Sequence, residues 1–391
     1  MKDQYGREID YMRISITDRC NLRCRYCMPE GVNCKIEHDE ILRYEEFRKI
    51  AECGVRLGIS HIKITGGEPL VRKGCPDLVR SLKEIPGIRT VTLTTNGLLL
   101  SRDLPDLLSA GLDGVNISLD SRDPEKFRRI TGFDGEKKVE EAIRMAAESG
   151  IRTKVNVVTM PDTDPADLCR LAEEMPVDIR FIEMMPIGYG RKFRGSDNRK
   201  LLKKLMEAYP DLEPEEEGAE KLLAELSEGE AAKRGEDRVF LTDRDSRKNI
   251  TIREDRTAGE DRTAGGDRTA GGDRTTGGDR TAGEDRTVRR HGQGPAVYFR
   301  GRHLRGSVGF ISAIHGKFCA SCNRVRLTST GYLKTCLCYG DGADLRELLR
   351  EGKDEELESA MREAIFRKPR AHCFETPEQI TESHRMSQIG G

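Results

Sequence analysis

Residues 18–31 read DRCNLRCRYCMPEG and contain three closely spaced cysteines, Cys20, Cys24 and Cys27. An iron–sulfur cluster of the 4Fe–4S type normally has four cysteine thiolates, one on each iron. Three thiolates leave one iron with an open position, at which a small molecule can bind. Zinc is the alternative, with His38 as a fourth ligand, because a structural zinc site needs four nitrogen or sulfur ligands. The spacing alone therefore indicates a metal centre of one of these two kinds.

Strand-like and helix-like segments alternate around this motif, from residue 11 to about residue 186. Short stretches rich in β-branched residues predict six strands, at residues 12–17, 61–66, 91–96, 114–120, 152–158 and 178–185. Between them, apolar residues recur at three- and four-residue spacing, which is typical of amphipathic helices. This alternation predicts an α/β fold with parallel strands and outer helices, arranged as a partial (β/α)6 TIM-like barrel.

Several of these strands have a polar face. In VNISLD, Asn116 and Ser118 share one face and apolar residues occupy the other. Cations take such positions in three further strands, at Arg13, Lys63 and Lys154. A half-solvated strand is the ordinary explanation for a single case. Because four strands share the pattern, we favour a polar cavity whose positive charge suits an anionic ligand.

The chain as a whole is nearly neutral, with 67 Lys and Arg against 68 Asp and Glu. This balance argues against nucleic acid as a partner. The first residues show no apolar signal-peptide core, and no run of about 18 apolar residues predicts a membrane span. We therefore expect a cytoplasmic protein, in which twelve cysteines indicate metal ligands or free thiols rather than disulfides.

Residues 211–290 differ from the rest in composition. They begin with an acidic run and continue with DRTAGG-type repeats, in which aspartates recur every six residues from Asp255 to Asp285. The repeats have no aromatic and almost no large apolar residue, so they cannot bury a core. We predict three regions: a barrel at residues 1–210, a disordered insertion at 211–290, and a C-terminal region at 291–391.

The C-terminal region contains a second set of three cysteines, Cys319, Cys322 and Cys336. Cys338 follows two residues later, so four thiols could instead close a zinc site. Spacing alone leaves both metals open. The remaining thiols are expected to pack as small apolar residues; they are Cys34, Cys53, Cys75, Cys169 and Cys373.

CNLRCRYC, at residues 20–27, resembles the signature of radical S-adenosylmethionine (radical SAM) enzymes. TGGEP, at residues 65–69, resembles the second motif of that family and follows a predicted strand. The resemblance implies a 4Fe–4S cluster on Cys20, Cys24 and Cys27, whose open iron binds SAM. It also implies SAM contacts at Tyr26, Gly67, Ser118 and Met185.

FCASCNRVRLTSTGYLKTCL, at residues 318–337, closely resembles the auxiliary-cluster region of the GTP 3′,8-cyclase family, which catalyses the first step of molybdenum cofactor biosynthesis. The same family is matched by RISITDRCNLRCRYCMP, KITGGEPLVR, LTTNGLLL, NISLD, KVNVV, RFIEMMPIG and the terminal IGG. The resemblance implies a second 4Fe–4S cluster on Cys319, Cys322 and Cys336, whose open iron meets the guanine ring.

The resemblance also implies GTP-binding positions, at Arg13, Lys63, Thr94, Lys154, Arg324, Val325 and Arg326. Lys63 occurs where the family usually has arginine; it keeps the charge but loses the bidentate fork. Arg324 and Arg326 are the candidate catalytic residues, which would hold ribose and phosphates during ring closure. Gly390 and Gly391 match a tail that reaches the active site in the family.

The implied reaction is conversion of GTP to (8S)-3′,8-cyclo-7,8-dihydroguanosine 5′-triphosphate. A 5′-deoxyadenosyl radical would take hydrogen from C3′ of GTP, and the C3′ radical would attack C8. The implied partners are a reductant such as flavodoxin or ferredoxin and, as the next enzyme, cyclic pyranopterin monophosphate synthase, with the chain a monomer or homodimer. The alternatives are another radical SAM enzyme with an auxiliary cluster, such as a peptide maturase, and a non-catalytic iron–sulfur electron carrier.

Overall fold

The computed structural model describes residues 1–31, 36–234 and 294–390. The chain divides into two units, Met1–Leu223 with Pro295–Gly391, and Ala224–Gly294. Every described strand belongs to the first unit. The described residues do not include the DRTAGG-type repeats, Cys34 or Gly391. The structure therefore does not test the predictions made for them.

Six parallel strands form the centre of the sheet and follow one another in chain order. They are β1 Tyr11–Ser15, β2 His61–Thr65, β3 Thr90–Thr95, β4 Gly114–Ser118, β5 Arg152–Thr159 and β6 Asp178–Glu183. Each of them starts and ends within two residues of its predicted bounds. The predicted α/β fold with parallel strands is therefore confirmed.

Helices connect these strands and cover the sheet. Those between β1 and β6 are α1 Tyr44–Arg56, α2 Cys75–Lys83, α3 Leu100–Ser109, α4 Pro124–Thr131, α5 Glu136–Glu148 and α6 Pro165–Glu174. In α1, Phe47, Ile50 and Ala51 have no exposed surface, since their spacing places them on one helix face. Helices contact β3, β4, β5 and β6, which leaves the opposite face of the sheet for a site.

Strands of the C-terminal region, together with β7 from the segment before it, extend the same sheet at both edges. Beside β1 lie β10 Arg324–Leu327, β11 Tyr332–Lys334 and β12 Gly342–Asp344; beside β6 lie β9 Val308–Ile311, β8 Val297–Arg300 and β7 Glu213–Pro214. Both β10 and β9 run parallel to the central strands that they contact. The sequence analysis did not predict this sheet of 12 strands, and its region boundaries at 210/211 and 290/291 stay predictions.

The remaining helices are α7 Asn198–Ala208, α8 Glu217–Arg234, α9 Arg346–Arg350, α10 Asp354–Phe366 and α11 Met386–Ile389. The region predicted as an insertion thus begins with regular structure, in β7 and α8. Leu212, Ala219 and Leu222 are buried there, which explains the order at these positions. Among the described helices, none combines the length and apolar character needed to cross a bilayer.

Candidate active site

The loop after β1 carries the first cysteine set. Cys20, Cys24 and Cys27 are all half-buried. Burial raises the pKa of Cys20 to about 11 and that of Cys27 to about 12, and it also raises the pKa of Cys24 well above its ordinary value. The negative charge of Asp120, followed by those of Cys27 and Cys20, also raises the pKa of Cys24. A bound metal cluster would supply the positive charge that three thiolates need here.

The TGGEP turn packs directly on this loop. Gly67 N donates to Thr17 O at 2.7 Å, and Glu68 N donates to Arg19 O at 2.8 Å. A Cβ atom on Gly67 would lie 2.4 Å from the carbonyl oxygen of Arg19. Only glycine therefore allows the turn to approach the cysteine loop this closely. A backbone that binds a ligand at short range needs glycine for the same reason.

Glu68 connects the turn to the end of β3. Its buried carboxylate accepts hydrogen bonds from Leu70 N at 3.0 Å, Thr95 Oγ1 at 2.8 Å and Asn96 N at 2.6 Å. Burial raises its pKa to about 7. Asn96 Nδ2 lies 3.8 Å from Cys20 Sγ. Sequence reasoning missed Glu68 and Asn96, although both belong to motifs that it quoted.

The proposed SAM residues lie at the carboxyl ends of the parallel strands or in the cysteine loop. Ser118 ends β4, Gly67 follows β2, and Met185 follows β6. Tyr26 Oη donates to Asp120 Oδ2 at 2.7 Å, and Asp120 Oδ1 accepts from Val158 N at 2.8 Å. Burial raises the pKa of Asp120 to about 6. This edge of the sheet is where barrel enzymes place their active sites.

Cations line the polar face of the sheet, as the alternation predicted. Lys63, Lys154 and Arg180 are buried, while Arg13 and Arg326 are half-buried. The sheet register places Arg13 between Lys63 of β2 and Arg326 of β10. Arg180 was missed, although it alternates with apolar residues in β6 in the same way. We name these five residues the cation cluster.

Neutral amide side chains contact part of the cation cluster. Arg180 Nε donates to Asn156 Oδ1 at 2.9 Å. In the amide orientation that satisfies both donors, Asn116 Oδ1 accepts from Arg180 at 2.8 Å and from Lys63. Lys154 Nζ lies 3.3 Å from Asp178 and donates to Tyr298 Oη at 3.0 Å. Neutral amides thus meet charges that a polyanion would satisfy better.

The pKa values of the cations in the cluster are shifted in the direction expected for buried positive charges that repel one another. Burial, followed by repulsion from neighbouring cations, lowers the pKa of Lys63 and Arg326 well below their ordinary values. Burial lowers the pKa of Arg13 to about 10 and that of Lys154 to about 7. Thr94 Oγ1 is buried beside this face without a hydrogen-bond partner in the described part of the chain. These features fit an anionic ligand with further polar groups.

The second cysteine set lies on either side of β10 and β11. Burial raises the pKa of Cys322, but Lys368 and Arg324 outweigh it, and the pKa falls to about 7. His372 N donates to Cys319 Sγ at 3.4 Å. Such donors stabilise thiolates that bind a metal cluster.

Cys338 makes a different contact from the three cysteines that precede it. Its Sγ lies 3.0 Å from Cys373 Sγ and accepts from Cys373 N at 3.2 Å.

Arg324 lies over the Phe318 ring at 5.1 Å, whereas the Val325 side chain is fully buried. Any ligand contact of Val325 would therefore use its backbone.

The C-terminal residues reach the cation cluster. Arg326 Nη1 donates to Ile389 O at 3.3 Å and also to Gly390 O. Gly390 has φ +73°, and a Cβ atom there would lie 2.6 Å from Thr65 Cγ2 and 3.5 Å from Ser15 Cβ. Only glycine fits this position, at the ends of β1 and β2.

Two family models match the chain. The radical SAM superfamily matches residues 14–175, and Molybdenum Cofactor Synthesis C matches residues 256–374. The solved structure of Streptococcus suis SuiB bound to S-adenosylmethionine covers 96% of this chain and 77% of its own, with a TM-score of 0.53 and 13% identity. That likeness shows the fold alone.

Curated relatives match over the full length. A GTP 3′,8-cyclase from Clostridium perfringens (strain 13) is 35% identical over 395 residues, which are 100% of both chains. A GTP 3′,8-cyclase from Heliobacterium modesticaldum is 37% identical over 397 residues, again 100% of both chains. With relatives this similar over its whole length, the chain belongs to the GTP 3′,8-cyclase family of radical SAM enzymes.

Proposed function

We propose that this chain is a lyase that converts GTP to (8S)-3′,8-cyclo-7,8-dihydroguanosine 5′-triphosphate, the first step of molybdenum cofactor biosynthesis. The observation that carries the proposal is the cation cluster. One of its residues, Arg326, lies in the same short segment as Cys319 and Cys322. A triphosphate explains buried positive charge that neutral amides only partly satisfy. A peptide maturase, the alternative, would have no such need for clustered cations.

This radical SAM enzyme uses 4Fe–4S clusters and SAM. We assign the SAM-binding cluster to Cys20, Cys24 and Cys27, and the second cluster to Cys319, Cys322 and Cys336. With SAM bound, the cluster held by Cys20, Cys24 and Cys27 would supply the radical chemistry needed to abstract hydrogen from C3′ of GTP.

The protein's own residues bind and orient the two substrates. Arg13, Lys63, Lys154 and Arg326 would hold the phosphates, with the hydroxyl of Thr94 as a further donor. Tyr26 and Gly67 would shape the SAM site, together with Ser118 and Met185. Burial strengthens these charge-assisted contacts and excludes water, which allows the C3′ radical to reach C8 before it reacts elsewhere.

The reaction also requires partners outside the chain. We propose an electron donor such as flavodoxin or ferredoxin, and cyclic pyranopterin monophosphate synthase as the enzyme that takes the product. A cytoplasmic location suits both partners. Whether the chain acts as a monomer or a homodimer stays a prediction.

The test is an anaerobic assay of the reconstituted, reduced enzyme with SAM and GTP deuterated at C3′. We expect deuterium in 5′-deoxyadenosine and a cyclic product from the same reaction. A Cys24→Ala variant, which lacks a proposed cluster ligand, should yield neither. If 5′-deoxyadenosine appears without deuterium, the radical is formed but takes another hydrogen, and the proposed function is wrong.

A further inference from the structure

A buried lysine, Lys368, lies beside the second cysteine set. It follows helix α10 in the chain and is only 3% exposed. Its Nζ donates to Arg324 O at 3.0 Å and also to Thr335 O. Arg324 comes two residues after Cys322, and Thr335 directly precedes Cys336. One ammonium group thus joins the backbone beside two of the three cysteines.

A second buried cation, Arg7, binds the backbone at the third cysteine. Its Nη1 donates to Cys319 O at 2.9 Å, and its Nη2 donates to Pro369 O at 2.7 Å. Its Nε donates to Asp3 Oδ2 at 2.6 Å, and both of these side chains are buried. Arg7 therefore ties Cys319 to the residue that follows Lys368, while the carboxylate of Asp3 balances its charge.

The charge of Lys368 is not balanced in this way. Among the residues that the structure describes, no carboxylate forms an ion pair with it, and its Nζ donates to neutral carbonyl groups. Lys334, a fully buried lysine of the same region, forms an ion pair with the buried Glu382. Lysine is almost never buried without a partner, because desolvation disfavours an isolated charge. Lys368 therefore needs an anion.

The second cysteine set is the source of negative charge that its position indicates. A 4Fe–4S cluster held by three thiolates is negatively charged, and reduction by one electron adds a further negative charge. The charge around such a cluster and its burial are among the features that set its reduction potential. A buried cation at its edge favours the reduced form, since charges interact more strongly away from water.

We propose that Lys368 is the counter-charge of the second cluster and raises its reduction potential. Lys368 is a positioning residue rather than a catalytic one, because it acts through the cluster. The Asp3–Arg7 pair fixes the backbone next to Lys368 against Cys319 and so keeps the ammonium group in place. The inference rests on the proposed function, which assigns the second cluster to these cysteines.

The test is an anaerobic redox titration of the reconstituted full chain and of Lys368→Met, followed by electron paramagnetic resonance without GTP. Added SAM should change the signal of the first cluster, whose open iron it would bind, and this response tells the two clusters apart. At a fixed potential, we expect the ratio of reduced to oxidised second cluster to be at least tenfold lower in Lys368→Met. For a one-electron couple, tenfold corresponds to about 59 mV. The first cluster should change by less than threefold.

Two controls separate charge from packing and from net charge. Lys368→Arg keeps the positive charge and should stay within threefold of the full chain. Lys83→Met removes one positive charge from helix α2, where Lys83 Nζ lies 2.9 Å from Asp113 Oδ2, and should change neither cluster. A purely structural role of Lys368 would lower the iron content, but it would not shift the potential of one fully loaded cluster alone.

Two outcomes would overturn the inference. One is a Lys368→Met enzyme with full iron content and an unchanged ratio at the second cluster. The other is an equal change at both clusters, which indicates general disruption. If Lys368→Met does not fold or takes up less iron, Lys368→Gln is titrated instead and should show the same tenfold change. Loss of iron from Lys368→Gln as well would show a structural role and would also overturn the inference.

The same measurements keep this inference distinct from the proposed function. A full chain that takes up only one cluster would refute both the inference and the assignment of the second cluster. An enzyme that shows the expected change in ratio but forms no cyclic product in the deuterium assay would refute the proposed function alone.

Discussion

Lys154 is a buried lysine that lies among other cations. Burial and then repulsion from Arg180 lower its pKa to about 7, although Asp178 at 3.3 Å opposes the shift. A pKa of about 7 means that Lys154 titrates within the neutral pH range. A bound triphosphate would favour the charged form and raise this pKa again.

We therefore predict that GTP binding takes up protons at pH 7–8. Lys154 binds a phosphate best when it is protonated. GTP affinity should therefore fall as pH rises above about 7, and loss of this one proton lowers the affinity by at most about tenfold per pH unit. Calorimetry in two buffers of different ionisation enthalpy measures the uptake. In Lys154→Arg the guanidinium stays charged, so proton uptake should decrease and affinity should depend less on pH. Identical heats in both buffers for the unchanged enzyme would contradict the prediction.

At the scale of elements, the TGGEP turn and the cysteine loop form one packed unit. A methyl group on Gly67 would meet backbone atoms, at 2.4 Å from Arg19 O and 2.8 Å from Asp18 O. Backbone cannot move aside as a flexible side chain can, so the loop that carries Cys20 must shift. Overpacking of this kind costs about 1–3 kcal/mol of unfolding free energy.

We predict that Gly67→Ala loses iron from the first cysteine set and binds SAM at least tenfold more weakly. Iron content after anaerobic reconstitution and equilibrium SAM binding measure the two effects. The matched control is Gly301→Ala, where the nearest atoms lie at 3.5 Å, an ordinary contact. That variant should keep full iron content and SAM affinity. Normal SAM binding by Gly67→Ala would show that the turn tolerates a side chain.

The central strands were predictable because their signal is local. In β4, apolar and polar residues alternate within five positions, and the same alternation indicated Arg13, Lys63 and Lys154. The pairing of β10 with β1 was not predictable, since it joins Tyr11 to Arg324 across most of the chain. Four-residue strands carry too little periodicity to indicate a partner.

The Lys334–Glu382 ion pair was beyond sequence reasoning for a related reason. A lysine in a three-residue strand is expected to be exposed, because lysine is almost never fully buried without a partner. Lys334 is fully buried only because Glu382 reaches it from a distant segment. The pattern around either residue gives no sign of the other, so the ion pair becomes visible only in the folded chain.

At the scale of the whole molecule, one continuous sheet carries both cysteine sets and the cation cluster. The first set follows β1, and the second set flanks β10 and β11, which lie beside β1. Arg13 and Arg326 stand opposite each other where these segments meet. The strand order thus brings the segments that carry the two cysteine sets next to each other, with Arg13 and Arg326 at their junction.

The sequence between α8 and β8 contains no cysteine. Glu213 of β7 pairs with Arg300 of β8, so the chain leaves and rejoins the sheet at the same edge. That edge borders the cation cluster, because Lys154 Nζ donates to Tyr298 Oη of β8 at 3.0 Å. A deletion that keeps β7 and β8 therefore keeps this contact. No proposed ligand of GTP, SAM or iron lies between residues 211 and 290.

We predict that deletion of residues 254–287 leaves turnover intact. Shortening a connection of this length changes its closure free energy by less than about 1 kcal/mol, because that cost grows only with the logarithm of length. The measurement is kcat and KM for GTP, together with Tm and iron content, for the deletion enzyme and the full chain. We expect kcat and KM within twofold and an unchanged iron content. A folded deletion enzyme with full iron but tenfold lower kcat would show that the repeats take part in the reaction.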